Sequence, residues 1–285
     1  MAESTMLQAA LTLASIGAAV LGLLMLLLWW VHLKIANAGI VDIGWAYGLG
    51  FLALLYAYLG TGDATPRWTM AAMAALWSAR LGTHLLRRIA GRPEEGRYRH
   101  LRQHWGSGAA WKFLLFFEAQ AGLDVLLGLP FLLVSVAPTT GRSGFAALNF
   151  RPLHWAGIAV WLLAIAGESL ADAQLARFKR TASPKEVCRV GLWNYSRHPN
   201  YFFEWLAWVA WALFALPAPL GWLAWSAPAL MLFFLFKVTG IPATEAQALR
   251  SKGEAYAVYQ RTTSAFVPWF KKGDSTGTSV RGAAA

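Results

Sequence analysis

The chain of 285 residues has a single cysteine, Cys188, and little charge: only 14% of its residues are Asp, Glu, Lys or Arg. One thiol excludes an intramolecular disulfide and any cysteine-based metal cluster, so no metal site is expected. Acidic residues are the scarcer sign, 14 against 25 basic ones, for a formal net charge of +11. No basic run carries a soluble nucleic-acid-binding pattern, so the excess is not read as a nucleic-acid surface. It fits basic loops lying against anionic lipid. There is no visible internal repeat, and no shift in composition marks a second domain before the tail. The first apolar stretch has neither a basic leader nor a small-residue cleavage site after it, which reads as a retained helix and not a signal peptide.

What is abundant is apolar: 57% of residues are hydrophobic, sixteen are tryptophan, and the mean hydropathy is +0.43. This composition predicts an all-α, multi-pass integral membrane protein, resident in the cytoplasmic membrane if the source is bacterial. A bilayer core about 30 Å thick needs about 20 apolar residues per spanning helix. Seven stretches qualify, near 7–31, 40–60, 68–86, 111–137, 153–175, 201–216 and 220–239. Pro217 and Pro219 predict a tight hairpin between the last two. A cytoplasmic or interfacial helix over 244–261 follows. Residues 1–270 then form one transmembrane domain and 271–285, rich in Gly, Ser, Thr and Ala, a disordered tail.

Charge supports this count. The loops after helices one, three, five and seven, with the helix ends bordering them, carry 21 of the 25 Lys and Arg; the opposite side carries three, and Arg80 lies within helix three. The split predicts an N-terminus outside and a C-terminus inside. Polar residues within the spans are costly in lipid and mark a cavity or a partner. Asp42 opens helix two; Arg80 and His84 share a face of helix three; Glu118, Gln120 and Asp124 lie on helix four, with Asp124 near mid-membrane. Glu168 and Asp172 are four apart on helix five, followed by Lys179, and Asn200 and Glu204 are four apart on helix six. Arg87, Arg88 and Lys179 also suit snorkelling at the interface, and Gln120 alone suits helix-to-helix hydrogen bonding. Together the polar groups on five helices predict a cavity open to the cytoplasm.

Within Ser196-Arg197-His198-Pro199-Asn200-Tyr201, Pro199 suits a first helical turn, where its missing N–H would have been unpaired anyway. Arg197 and His198 then lie at the positive end of the helix dipole, which accommodates phosphate or carboxylate. An interfacial Arg-His pair anchoring the helix to headgroups is equally compatible with these residues.

Gly191-Leu192-Trp193, Tyr195, Asn200-Tyr201 and Glu204 resemble the signature of steroid 5-alpha-reductase-type membrane oxidoreductases, and the Arg-His-Pro-Asn-Tyr form resembles that of their bacterial relatives. The resemblance covers about residues 150 to 270, through Asp172, Lys179, Tyr256, Tyr259 and Phe266-Val267-Pro268-Trp269; upstream it rests on Val41-Asp42, Trp45 and Trp77-Ser78-x-Arg80-Leu81 with His84. It implies a seven-helix enzyme that binds NADPH on the cytoplasmic side and transfers hydride to the beta carbon of an enone lipid, such as a 3-oxo-4-ene steroid. By motif position, Asp172, Asn200 and Glu204 would hold the nicotinamide and ribose, with Tyr195 and Tyr201 shaping their surroundings. Lys179, Arg197, His198 and Tyr256 would reach the phosphates, and Arg97, Arg99 and Arg102 the adenosine 2′-phosphate. The chain departs from the pattern at Lys179, where relatives often have arginine, and at Phe203, where they often have glycine. It lacks the glutamate and tyrosine that donate to the carbonyl in animal steroid reductases; Asp42, His84, Glu118 and Asp124 are the candidate acids. A monomer surrounded by membrane lipid is expected. Two alternatives stay open: an S-adenosylmethionine-dependent isoprenylcysteine carboxyl methyltransferase-like enzyme, which shares an R-H-P-x-Y element, and a non-catalytic lipid-binding membrane protein.

Overall fold

The computed structural model describes residues 2–139, 150–238 and 240–271. The regular elements among them are helices: α1 (Ala2–Ile35), α2 (Ile40–Leu59), α3 (Ala64–Ile89), α4 (Gly96–Trp105), α5 (Ala109–Leu127), α6 (Leu129–Val136), α7 (Pro152–Thr181), α8 (Pro199–Ala215), α9 (Ser226–Phe233), α10 (Ile241–Lys252) and α11 (Glu254–Thr262). Helices suit lipid because every backbone N–H and C=O is satisfied within the segment.

Among the described residues four stretches are long and apolar enough to cross a bilayer, Ser4–Ile35, Ile40–Leu59, Pro152–Thr181 and Gly221–Lys252, and a fifth counts if Gly96–Leu127 and Leu129–Val136, bent by 46°, are one span. The expectation of seven adds two more. α3 is long but carries Arg67, Arg80, Arg87 and Arg88, and α8 is apolar but has only 17 residues. The stretch expected as one helix over 111–137 breaks at Gly128, where Pro130 in the first turn of α6 can neither donate an N–H nor clear the preceding carbonyl. Residues 220–239 open with left-handed backbone at Leu220 and a tight turn over Gly221–Trp225, then run through α9 into a π-helical turn, Phe234–Val238. The helix expected over 244–261 is two helices, separated at Gly253, whose φ is +56°. Beyond Lys271 the expected tail lies outside the described residues.

The chain divides into two compact units, Met1–Ala159 with Val209–Pro228, and Val160–Trp208 with Ala229–Ala285. No shift in composition marks them, because the divisions fall inside apolar helices α7, α8 and α9. In the first unit α2 packs against α1, α3, α5 and α6. Trp211 is fully buried between Trp77 and Phe131, each edge-on at 5.2 Å, and the Ser78 hydroxyl donates to the Ala46 carbonyl at 2.7 Å. Lipid is as apolar as leucine, so dispersion at such contacts and buried hydrogen bonds, not expulsion of water, hold the helices. The second unit is centred on Phe266, which meets Phe202, Trp205 and Phe236 at 5.6, 5.8 and 5.2 Å and packs in one cluster with Leu235 and Ile241.

Candidate functional site

In the second unit α8 starts at Pro199, and the residues before it form a hydrogen-bonded frame. Gly191 has φ +54° and its Cα lies against the Gln174 amide, so a side chain there would be both strained and obstructed. Leu192 N–H donates to Gln174 Oε1 at 2.9 Å and the Trp193 indole to the Ala171 carbonyl at 2.9 Å, fastening the Gly-Leu-Trp turn to α7. Ser196 Oγ donates to the Phe266 carbonyl at 2.7 Å, Arg197 N–H to Ser264 O at 2.8 Å, and Trp269 N–H to Tyr195 O at 3.0 Å. The motif is thereby bound along the C-terminal segment. The Tyr259 hydroxyl donates to the carbonyls of Trp193 and Ser196. Burial pushes the phenols of Tyr256 and Tyr259 well above their ordinary value, so both remain protonated.

Glu245 is the residue that sequence reasoning missed. Its Oε1 accepts from Arg197 Nε at 2.6 Å and lies 3.2 Å from His198 Nε2, and its Oε2 accepts from Gln260 Nε2 at 2.8 Å. Arg197 Nη1 also donates to the carbonyls of Gln260 and Thr263. Tyr201 stacks on His198 at 5.3 Å, and Tyr256 adjoins Arg197 and Glu245. Two of the expected cofactor residues, Arg197 and His198, thus meet one carboxylate of α10, with Tyr201 and Tyr256 packed beside them. The signal was there: a guanidinium about to be buried needs an anion, and this chain has few to offer.

The remaining candidates of this unit sit differently. Asn200 is half-buried in the first turn of α8, and its amide makes no hydrogen bond among the described residues. Glu204, one turn on, accepts from the Trp208 indole at 3.3 Å. Tyr195 and Lys179 are exposed and Asp172 is half-buried. Phe203 fits because α7 presents Gly167 to its ring, with no room there for a Cβ.

In the first unit Asp42 is not isolated: Arg97 donates to its Oδ2 and the Tyr98 hydroxyl to its Oδ1 at 2.7 Å. Arg102 grips Glu94 with two bonds, Nε to Oε2 at 3.0 Å and Nη2 to Oε1 at 2.8 Å, and Arg99 donates to the Glu94 carbonyl at 2.8 Å. All three arginines expected at a 2′-phosphate are therefore engaged by protein groups, Arg99 and Arg102 by Glu94 of their own loop and Arg97 by Asp42 of α2. Ala38 N–H reaches Glu94 Oε1 at 2.8 Å, tying this loop to the α1–α2 turn. Burial alone would raise the Glu94 carboxyl, but the Arg102 fork and the Ala38 amide outweigh it and hold the group below the ordinary carboxylate range. Of the other acid candidates, His84 is exposed on α3 and Glu118 is half-buried beside Gly22. Asp124 is 0% exposed, lies against Gly48 of α2, and has no hydrogen-bond partner for either oxygen among the described residues.

A family profile described as a protein of unknown function, DUF1295, matches residues 28–263. The chain belongs to the DUF1295 family. The match spans both units, including the Gly-Leu-Trp turn, the Arg197-His198-Glu245 cluster, Asp42 and Asp124. No curated protein and no solved structure matches this DUF1295 chain.

Proposed function

We propose that this DUF1295 protein is an NADPH-dependent membrane reductase that transfers hydride to the carbon–carbon double bond of an enone lipid. The observation that carries the reading is the Asn200 amide. It stands half-buried and unengaged at the start of a helix whose neighbouring polar groups, from Ser196 to His198, are all bound to protein. A rigid frame around one unused amide, with Glu204 a turn away, suits the nicotinamide and ribose end of a dinucleotide. The resemblance of this motif to steroid 5-alpha-reductase-type enzymes supports the same choice. When bound, NADPH would supply the hydride; Asp172, Asn200 and Glu204 would hold it, Tyr195 and Tyr201 would flank it, and Lys179 would meet its phosphates. Arg197 and His198 act through Glu245, positioning the start of α8.

For the proton, Asp124 is the strongest of the four acids: Asp42 is occupied by Arg97 and Tyr98, whereas Asp124 is enclosed with no hydrogen-bond partner among the described residues. The reading includes seven spans, with α3 and α8 completing the five, and an N-terminus outside with a cytoplasmic C-terminus, an orientation that the distribution of Lys and Arg supports.

One observation also suits a methyltransferase. The Arg197-His198 element and a glutamate-bearing C-terminal segment are the parts shared with isoprenylcysteine carboxyl methyltransferases, and here they are joined through Glu245. Isothermal titration of the protein in detergent separates the two. NADPH binding that is weakened by Asn200→Ala and by Glu204→Ala, with both variants folded, supports the reductase. S-adenosylmethionine binding with none for NADPH replaces it.

A further inference from the structure

In the loop between α3 and α4, Arg92 has a setting unlike that of the arginines paired with carboxylates around it. Arg88 pairs with Glu95, Arg97 with Asp42 and Glu95, and Arg102 with Glu94. Arg92 forms no ion pair among the described residues and is exposed, yet its backbone is fixed: its carbonyl accepts from Asn37 Nδ2 at 3.1 Å and its N–H donates to Ile89 O at 3.2 Å. It stands at the edge of a cleft of about 500 Å³ whose walls are aliphatic, Ile35, Ile40, Ile43, Leu86 and Ile89, belonging to α1, α2 and α3.

The depth of this cleft in the bilayer follows from connectivity. α1 ends at Ile35 and α2 begins at Ile40, and both are long and apolar enough to cross. The connection between them therefore lies at a membrane surface, and so does a cleft lined by both helix ends. Lys34, Arg87 and Arg88 crowd the last turns of α1 and α3, as expected of snorkelling cations at the headgroup level. An aliphatic cleft at that depth with an unneutralised guanidinium at its edge matches one kind of molecule: an acyl chain below and a phosphate above.

We propose that the cleft between the ends of α1 and α3 and the start of α2 is a binding site for one anionic phospholipid, with an acyl chain along Ile35, Ile43 and Leu86 and the phosphate against Arg92. The site belongs to the first unit alone and is independent of the cofactor reading. Its role is to hold the α1–α2 turn and the loop after α3 at the membrane surface.

Native mass spectrometry of the full chain, delipidated in detergent and mixed with equal amounts of phosphatidylglycerol and phosphatidylcholine, tests this. One phosphatidylglycerol per chain is expected to be retained in preference to phosphatidylcholine. Arg92→Gln is expected to lower that preference about fivefold, the worth of one cation near an anionic surface. Arg250→Gln, which removes an exposed cation of α10 in the other unit, is expected to leave it unchanged. Equal retention of the two lipids, an equal loss from Arg250→Gln, or a dimer that binds neither because a second copy covers the cleft would each overturn the proposal.

Discussion

At the scale of single residues, the Ser196–Tyr201 run separates groups that hold the fold from one that does not. The side chains of Arg197 and Glu245 are 11% and 14% exposed, so each is the other's main neutralising partner. Glu245→Ala would strand the guanidinium, and a loss of about 3–5 kcal/mol is expected, as for breaking other buried pairs. Tyr259→Phe removes the donor to two buried carbonyls and is expected to cost about 1–3 kcal/mol. Asn200→Ala is the contrast: its amide bonds nothing among the described residues, so the change should stay within about 0.5 kcal/mol. Denaturant or thermal unfolding in one detergent orders the three variants. A destabilisation by Asn200→Ala as large as that of Tyr259→Phe would show that the amide is part of the frame.

At the scale of elements, the closest fit in the second unit is Gly167 of α7 against Phe203 of α8. Gly167→Phe alone puts two rings in one place and is expected to destabilise by several times what a surface change does. The exchanged pair, Gly167→Phe with Phe203→Gly, restores one ring and one gap, and is expected to recover most of the loss; unfolding of the two singles and the double measures that coupling. The loop after α3 supplies a pH effect. Because the folded carboxyl of Glu94 lies below its ordinary value of 4.5, it contributes stability that is complete above that value and lost as pH falls through the lower folded one. Acid unfolding of the wild type should therefore be steeper than that of Glu94→Gln, whose stability lacks this contribution at every pH. Identical acid profiles would mean that the Arg102 fork contributes nothing.

At the scale of the whole molecule, the count of spans is the open quantity that an experiment decides directly. Cysteine labelling at Gly62 and Arg92, on either side of α3, is expected to report opposite faces, and so is labelling at Ser183 and Ala218, on either side of α8; the same face for either pair would remove that helix from the set of spans. The helical architecture was legible in the sequence because a 20-residue apolar run in lipid has one way to satisfy its backbone. Pro199 as a helix start was legible for a local reason, since its ring fits only a first turn. The break at Gly128 and Pro130 carried the same kind of signal, masked by the apolar run around it.

What composition and pattern determined alone was the class: helices in a membrane, their approximate places, and a polar motif at the start of one of them. Only the tertiary structure decided which charges meet. Arg97, Arg102 and Arg197 looked equally available along the chain, and folding gave each a carboxylate, Asp42, Glu94 and Glu245, at separations of 55, 8 and 48 residues. The reason is physical: the cost of burying a charge is local and can be read from the sequence, but the partner that offsets it is chosen by packing.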